Sequence, residues 1–344
     1  MAPPVRIALV GYGLAGKVFH APLIGATDGL ALAAVVSRDA DKVHADVPGV
    51  PVVGDLGEVL GDAAIDLVVI ATPDALHGQQ ALAALGAGKH VLIDKPFAPT
   101  LAEARQVAAR AAERGRLAAV FQNRRWDADF LTLRRLIAEG ALGEIVQFES
   151  HFDRYRPGLT GLWKERRDAG VWQDLGPHLV DQALQLFGLP QAVTLDLGIQ
   201  RPGGPAPDYA HALLRYDRLR VILHMSQLIQ ASSLRFAVHG TGGSYIKHGL
   251  DPQEAQAKAG LTPQDAGWGV DQLPGQLVRV GEDGLEHAST PASARGDYRR
   301  IYEGLRDAVL GRAPNPVPPE QAIAVMQVLD AGRVSAAERR EIIL

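Results

Sequence analysis

The 344-residue chain contains no cysteine. Disulfides, thiolate metal sites and cysteine nucleophiles are excluded together. With no clustered His/carboxylate spacing either, the sequence predicts no metal site. Basic patches are scarce: 35 Lys and Arg stand against 39 Asp and Glu, for a net charge of −4. No Lys/Arg cluster stands out, which argues against a nucleic-acid partner. Apolar runs of roughly 18 residues, the length a bilayer demands, are missing. Met1-Ala2-Pro3-Pro4 has neither the basic region nor the apolar core of a secretory signal. These absences predict a cytoplasmic chain with no membrane partner. Internal repeats and low-complexity tracts are also absent.

What is present is ordinary globular material, 47% apolar and 22% charged, in a chain long enough for two domains. Through residue 123, near-continuous apolar runs read as buried parallel strands: Val5–Val10, Leu32–Ser37, Leu67–Thr72, His90–Asp94 and Leu117–Gln122. Helical patterns alternate with them around Ala15–Ile24, Leu56–Gly61, Ala75–Ala87 and Leu101–Arg114. The series predicts a doubly wound α/β domain over residues 1–123. Beyond it, helices at Asp127–Glu139 and Asp174–Phe187 accompany strands at Glu144–Phe152 and near 193–199, 208–217, 219–228 and 234–247. Consecutive strands joined by turns predict an α+β domain with a mostly antiparallel sheet over residues 124–344. The stretch 249–275 reads as loop, and helices Tyr298–Leu310 and Glu320–Ser335 precede a short apolar tail.

The first strand runs into Gly11-Tyr12-Gly13-Leu14-Ala15-Gly16, a G-x-G-x-x-G spacing followed by a helical pattern. Gly11 permits a tight turn, Gly13 lets backbone approach a pyrophosphate, and Gly16 allows close helix–strand packing. The N–H groups at the helix start, around Leu14 and Ala15, face the anion. This predicts a Rossmann dinucleotide site. The second strand ends in Ser37-Arg38, where a carboxylate would meet a free ribose hydroxyl. A hydroxyl and a forked guanidinium suit a 2′-phosphate, so NADP is expected over NAD. Asp39 and Asp41 lie a step later in the loop.

Thr72-Pro73 ends the third long strand, with His77 just beyond as a cofactor contact or a structural or capping residue. Asp94-Lys95-Pro96 ends the next, where an ammonium can polarise a substrate oxygen. In Trp172-Gln173-Asp174-Leu175-Gly176-Pro177-His178, Asp174 and His178 share a helix face if the helix has begun by Asp174. A carboxylate one turn from an imidazole can tune it for proton transfer. The alternatives are an N-cap for Asp174 and a core role for His178.

Gly11–Gly16, Asp94-Lys95-Pro96 and Asp174–His178, in this order and spacing, resemble the glucose–fructose oxidoreductase/inositol dehydrogenase (Gfo/Idh/MocA) family. The likeness spans essentially the whole chain. Gly11–Leu23, Asn123-Arg124-Arg125-Trp126-Asp127 and Arg154-Tyr155-Arg156-Pro157 resemble its NADP-dependent scyllo-inositol dehydrogenases. The resemblance implies a catalytic trio of Lys95, Asp174 and His178, with Lys95 also touching the nicotinamide ribose and His178 the acid/base. It implies a polyol or sugar substrate and a homodimer or homotetramer. One departure is Asp94, where the family usually has Glu. Trp126, Tyr155 and Trp163 are candidates to line a sugar or cyclitol pocket, against core or interface packing. Rival readings are an aldose or biliverdin-reductase-like enzyme and a non-catalytic NADP-binding sensor, though a sensor has no need of an acid/base pair.

Overall fold

The computed structural model describes residues 3–159, 169–231 and 234–344. The chain divides into two compact units. The first comprises residues 1–126, 252–269 and 297–323; the second comprises 127–251, 270–296 and 324–344. Two later segments therefore belong with the N-terminal one, whereas the sequence suggested a single cut after residue 123. Side-chain bonds hold them there. Gln253 donates to the Trp126 carbonyl at 3.1 Å and accepts from the Tyr298 N–H at 2.8 Å. Arg125 donates to Gln321 at 2.6 Å and to the Pro316 carbonyl at 3.2 Å, and Arg306 donates to the Asp28 carbonyl at 2.7 Å.

The first unit carries strands β1 (Val5–Val10), β2 (Leu30–Val36), β3 (Val52–Val53), β4 (Leu67–Ile70), β5 (His90–Ile93) and β6 (Ala118–Val120). They form one parallel sheet in the order β3-β2-β1-β4-β5-β6. β1 and β4 are buried at almost every position, as a sheet covered on both faces requires. The first helix opens as a π-helical turn (Gly16–His20) and continues as α1 (Ala21–Gly25). The helices α2 (Ala40–Asp46), α3 (Leu56–Gly61), α4 (His77–Gly86) and α5 (Leu101–Glu113) link the strands. β3 and α2 have no counterpart in the sequence reading, because two residues and seven are too few for a clear period.

The second unit contributes α6 (Ala128–Ala138), β7 (Ile145–Asp153), α7 (Gly170–Phe187), β8 (Ala192–Gly198), β9 (Tyr209–Arg215), β10 (Arg220–Ser226), β11 (Leu234–Gly240) and β12 (Gly243–His248). The run expected as one strand over 234–247 is a hairpin, pairing Gly240 with Gly243. In the first unit α8 (Gln253–Lys258) occupies part of the stretch read as loop. Strands β13 (Gln276–Val280) and β14 (Glu286–Ser289) extend the hairpin, followed by α9 (Arg299–Val309), α10 (Pro319–Glu338) and β15 (Ile342–Ile343). The division between units falls inside α10.

The nine strands order as β14-β13-β12-β11-β7-β10-β9-β8-β15. Among the described residues, β7 and β10 are the one parallel pair, and the other neighbours run antiparallel. Alternate residues such as Phe148, Phe152, Val221, Leu223, Ala212 and Leu214 join Leu175, Leu179 and Trp172 of α7 in a dry core. The intervening residues, among them Glu149, His151, His211, Leu213, Ile222 and His224, face away and stay partly exposed. Trp172 is pinned in that core. Its indole N–H donates to the Leu329 carbonyl at 3.1 Å, and a Cβ on Gly332 would lie 2.8 Å from the ring. Among the described residues no helix is long and apolar enough to cross a membrane.

Candidate active site

The three fingerprint glycines have three different reasons to be glycine. Gly11, where β1 ends, has φ of +97°, and a Cβ there would sit 2.7 Å from the Ala71 carbonyl oxygen beyond β4. A Cβ on Gly16 would sit 2.3 Å from the Gly11 carbonyl. Gly13 is different: nothing lies within 4 Å of a Cβ built on it. Internal packing explains Gly11 and Gly16, whereas Gly13 leaves its space open to something outside the chain. It lies between the carboxyl ends of β1 and β4, where the strand order reverses and open α/β sheets bind ligands. The residues fit a dinucleotide pyrophosphate. Leu14 is exposed and Ala15 partly so at the helix start. Lys17 and Tyr12 both bond the Asp46 carboxylate, bracing the turn. Burial and Asp46 together push the Tyr12 hydroxyl up to about 12.

At the end of β2, Asp39 is the N-cap of α2, its carboxylate accepting from the Lys42 N–H at 2.9 Å. Ser37 Oγ and the backbone of Asp39 bond each other. Arg38 is exposed and has no ion-pair partner among the described residues. The nearest carboxylate is thus committed to a helix, and the guanidinium is available.

At the ends of β4 and β5, Thr72 Oγ1 donates to Gln80 at 2.6 Å, and Pro73 is exposed. His77, read as a cofactor contact or a structural or capping residue, is buried, and both ring nitrogens lie at carbonyls. One lies 2.9 Å from the Thr72 oxygen and the other 2.7 Å from the Pro96 oxygen. It ties two strand ends together. The Lys95–Pro96 bond is cis. Lys95 is partly buried, and its N–H donates to Asp94 Oδ1 at 2.7 Å. Beneath lies a pair the sequence reading missed. His20 Nδ1 stands 2.6 Å from the Tyr302 hydroxyl, and His20 Nε2 stands 4.0 Å from Asp94. Burial drives the His20 imidazole down to about 4 and holds the Tyr302 hydroxyl well above its ordinary range.

In the second unit α7 begins at Gly170, with Ala169 as its N-cap. Asp174 is therefore inside the helix, and the capping alternative falls. Asp174 and His178 sit one turn apart, Asp174 partly exposed and His178 buried. The His178 ring stacks on Phe152 at 6.3 Å between centroids. Gly176 leaves room for Leu329 of α10 and for the ring of Trp172 on its own helix, since a Cβ would meet them at 3.0 and 3.1 Å. Tyr155 is half-exposed and bridged to Leu228. Its loop is anchored by Arg201, which pairs with buried Asp208 at 2.8 Å and donates to the Arg156 and Gly158 carbonyls. Although burial opposes it, bonds from Gln200 and Arg201 hold the Asp208 carboxyl below its usual range. Trp163 lies outside the described residues. In the first unit Trp126 is partly buried, and its carbonyl also accepts from the Asp297 N–H. Its neighbours Arg124 and Arg125 are anchors: Arg124 pairs with Glu254, and Arg125 holds Gln321.

A parallel sheet of this order, with the glycine turn at its switch point, defines an NAD(P)-binding oxidoreductase fold. The chain belongs to the Gfo/Idh/MocA oxidoreductase family: residues 5–122 match its NAD-binding Rossmann fold, and residues 134–344 match its C-terminal alpha/beta domain. It is similar to the uncharacterised oxidoreductase YdgJ of Escherichia coli, 49% identical over 100% of both chains. It is 37% identical to the scyllo-inositol 2-dehydrogenase (NADP(+)) IolW of Bacillus subtilis, over 99% of this chain and 96% of that one. Among solved structures, an oxidoreductase of Yersinia pestis superposes with a TM-score of 0.97 at 49% identity, covering 100% of this chain and 98% of that one.

Proposed function

We propose that this oxidoreductase is an NADP(H)-dependent dehydrogenase of polyhydroxylated rings, with scyllo-inositol and its ketone as first choice. The observation that carries the reading is the end of β2, where Asp39 is spent on a helix cap and Arg38 stands exposed beside Ser37. The name of the Bacillus subtilis relative supports both the NADP and the cyclitol parts. The cofactor would be held by the backbone around Gly11–Gly16, by Ser37 and Arg38, and by the Thr72-Pro73 turn. When bound, its nicotinamide exchanges a hydride with a ring carbon.

The chain's own work is done by three side chains. Lys95, at the end of β5, donates to the substrate oxygen and offsets negative charge gathering there. His178 takes the hydroxyl proton during oxidation and returns it during reduction. Asp174, one turn earlier on α7, holds the catalytic groups in place. Tyr155 and Trp126 offer aromatic faces to C–H groups of the ring.

The test is a panel of cyclitols, aldoses and biliverdin with NADP⁺/NADPH and NAD⁺/NADH, followed by absorbance of the reduced cofactor. Turnover of an inositol with NADP⁺ is expected. Turnover of an aldose or of biliverdin alone would move the substrate, and cofactor binding with no turnover would make the protein a sensor. Self-association into a dimer or tetramer belongs to the same proposal. The partly exposed sheet face bearing Leu213 and Ile222 supports it. Light scattering at micromolar concentration should give a multiple of 36.7 kDa, and a monomer mass would reject it.

A further inference from the structure

The face of the nine-stranded sheet turned away from the helical core carries a polar cluster that the proposed catalysis does not use. β7 and β10 run parallel in a register that sets His224 beside His151 and Ser226 beside Asp153. His151 and Asp153 are two apart on one strand, so they point to the same face. Asp153 Oδ2 lies 3.1 Å from His151 Nδ1, and Asp153 Oδ1 lies 2.9 Å from His224 Nδ1. One atom from each of the three residues falls within 4.8 Å of the others. The linear sequence hides this group, because its third member comes from another strand, 71 residues after Asp153.

We propose that His151, Asp153 and His224 bind one divalent transition-metal ion, with zinc the first choice. Two imidazoles and a carboxylate are the donor types zinc takes. Ligands about 2.0–2.1 Å from a tetrahedral ion lie ~3.4 Å from one another, against 3.1 and 2.9 Å from Asp153 to the two imidazoles and a limit of 4.8 Å for the whole set. Charge agrees, since Asp153 is nearly buried and is approached by two nitrogens that turn from donors into ligands once they give up a proton.

An independent feature separates this cluster from a chance meeting of polar residues. His151 Nε2 lies 2.7 Å from Glu149 Oε1. A carboxylate behind the imidazole fixes the proton on Nε2 and leaves the lone pair on Nδ1, which is the arrangement metal-binding histidines use. The ring of His224 is also held. Tyr209 stands edge-on to it at 5.4 Å and His211 at 5.9 Å between centroids. Three protein ligands leave a fourth position for water or a small anion. The ion would fasten the parallel pairing of β7 with β10.

The full-length chain, stripped with chelator and free of NADP, is titrated with Zn²⁺ by calorimetry and with Co²⁺ by visible absorption. One ion per chain is expected, with the cobalt bands of a tetrahedral nitrogen–oxygen site. His224→Ala should weaken Zn²⁺ at least tenfold, and Glu149→Gln should weaken it roughly 10–100-fold. No stoichiometric uptake at micromolar Zn²⁺, or an affinity unchanged in His224→Ala, overturns the proposal. If His224→Ala does not fold, the wild-type cobalt spectrum decides, since octahedral bands alone also reject the site. Neither readout depends on the substrate, so failure here leaves the proposed dehydrogenase reading untouched.

Discussion

Single side chains carry the sharpest expectations. Arg38 is free to meet a 2′-phosphate because Asp39 is held by the N–H of Lys42. Losing a charge-assisted contact of this kind costs roughly 1.5–3 kcal/mol, about one to two decades of affinity. Arg38→Ala should therefore weaken NADPH binding by that much in a fluorescence titration and leave NADH nearly unchanged. Equal losses would show that Arg38 does not read the phosphate. His178→Ala should lower turnover by roughly 10²–10⁴ with cofactor binding intact. Asp174 has become easier to interpret. A helix starting at Gly170 gives it no cap to lose, so Asp174→Ala should lower turnover, and a lost N-cap cannot account for that loss. A fully active His178→Ala enzyme would falsify the acid/base assignment.

At the scale of the element, the strand–turn–helix at the chain's start separates folding from binding within one motif. A methyl on Gly16 would press to 2.3 Å of the Gly11 carbonyl, which is backbone and cannot swing away. Gly16→Ala should cost a few kcal/mol, appearing as a clear loss in thermal unfolding (roughly 1–3 kcal/mol for overpacking). A methyl on Gly13 meets nothing, so Gly13→Ala should melt like wild type and yet bind the dinucleotide poorly. Equal cofactor affinity in Gly13→Ala would mean that no ligand approaches there. These same elements explain what was legible beforehand. β1, β4 and β5 are buried on both faces, so their apolar runs stand out without a partner. α7 was legible in its apolar period but not in its start, because Gly170 at φ +50° opens it beside the Pro207 carbonyl, a contact sequence cannot show. The anchoring roles of Arg124 and Arg125 were not legible, since their partners Glu254 and Gln321 lie far along the chain. For His77 the sequence left a structural role and a cofactor contact both open, because its partners are backbone carbonyls, which have no signature in the sequence.

Over the whole chain, the first unit is sewn from three separate segments, and one stitch is titratable. His20 near the N-terminus meets Tyr302 of the returning segment in a fully buried contact. Burial outweighs the attraction of Asp94 and lowers this imidazole from 6.5 to about 4. His90, whose Nδ1 accepts from the Leu117 N–H at 3.0 Å, is also lowered to about 4, by burial and then by Arg116. Between pH 6.5 and 4 the unfolded chain takes up protons that these folded histidines refuse. Stability must therefore rise with pH across that window and fall as the solution is acidified. For His20 the full loss is up to roughly 3 kcal/mol; for His90, partly screened by water, it is smaller. Urea unfolding followed from pH 4 to 7 should show this slope. His20→Gln should be less stable at pH 7, having lost the imidazole's packing on Phe121 at 4.3 Å, and should depend less on pH because nothing at that position titrates. An unchanged slope in His20→Gln would place the acid sensitivity elsewhere in the chain. A flatter slope would tie the return of residues 297–323 to the neutrality of one buried ring.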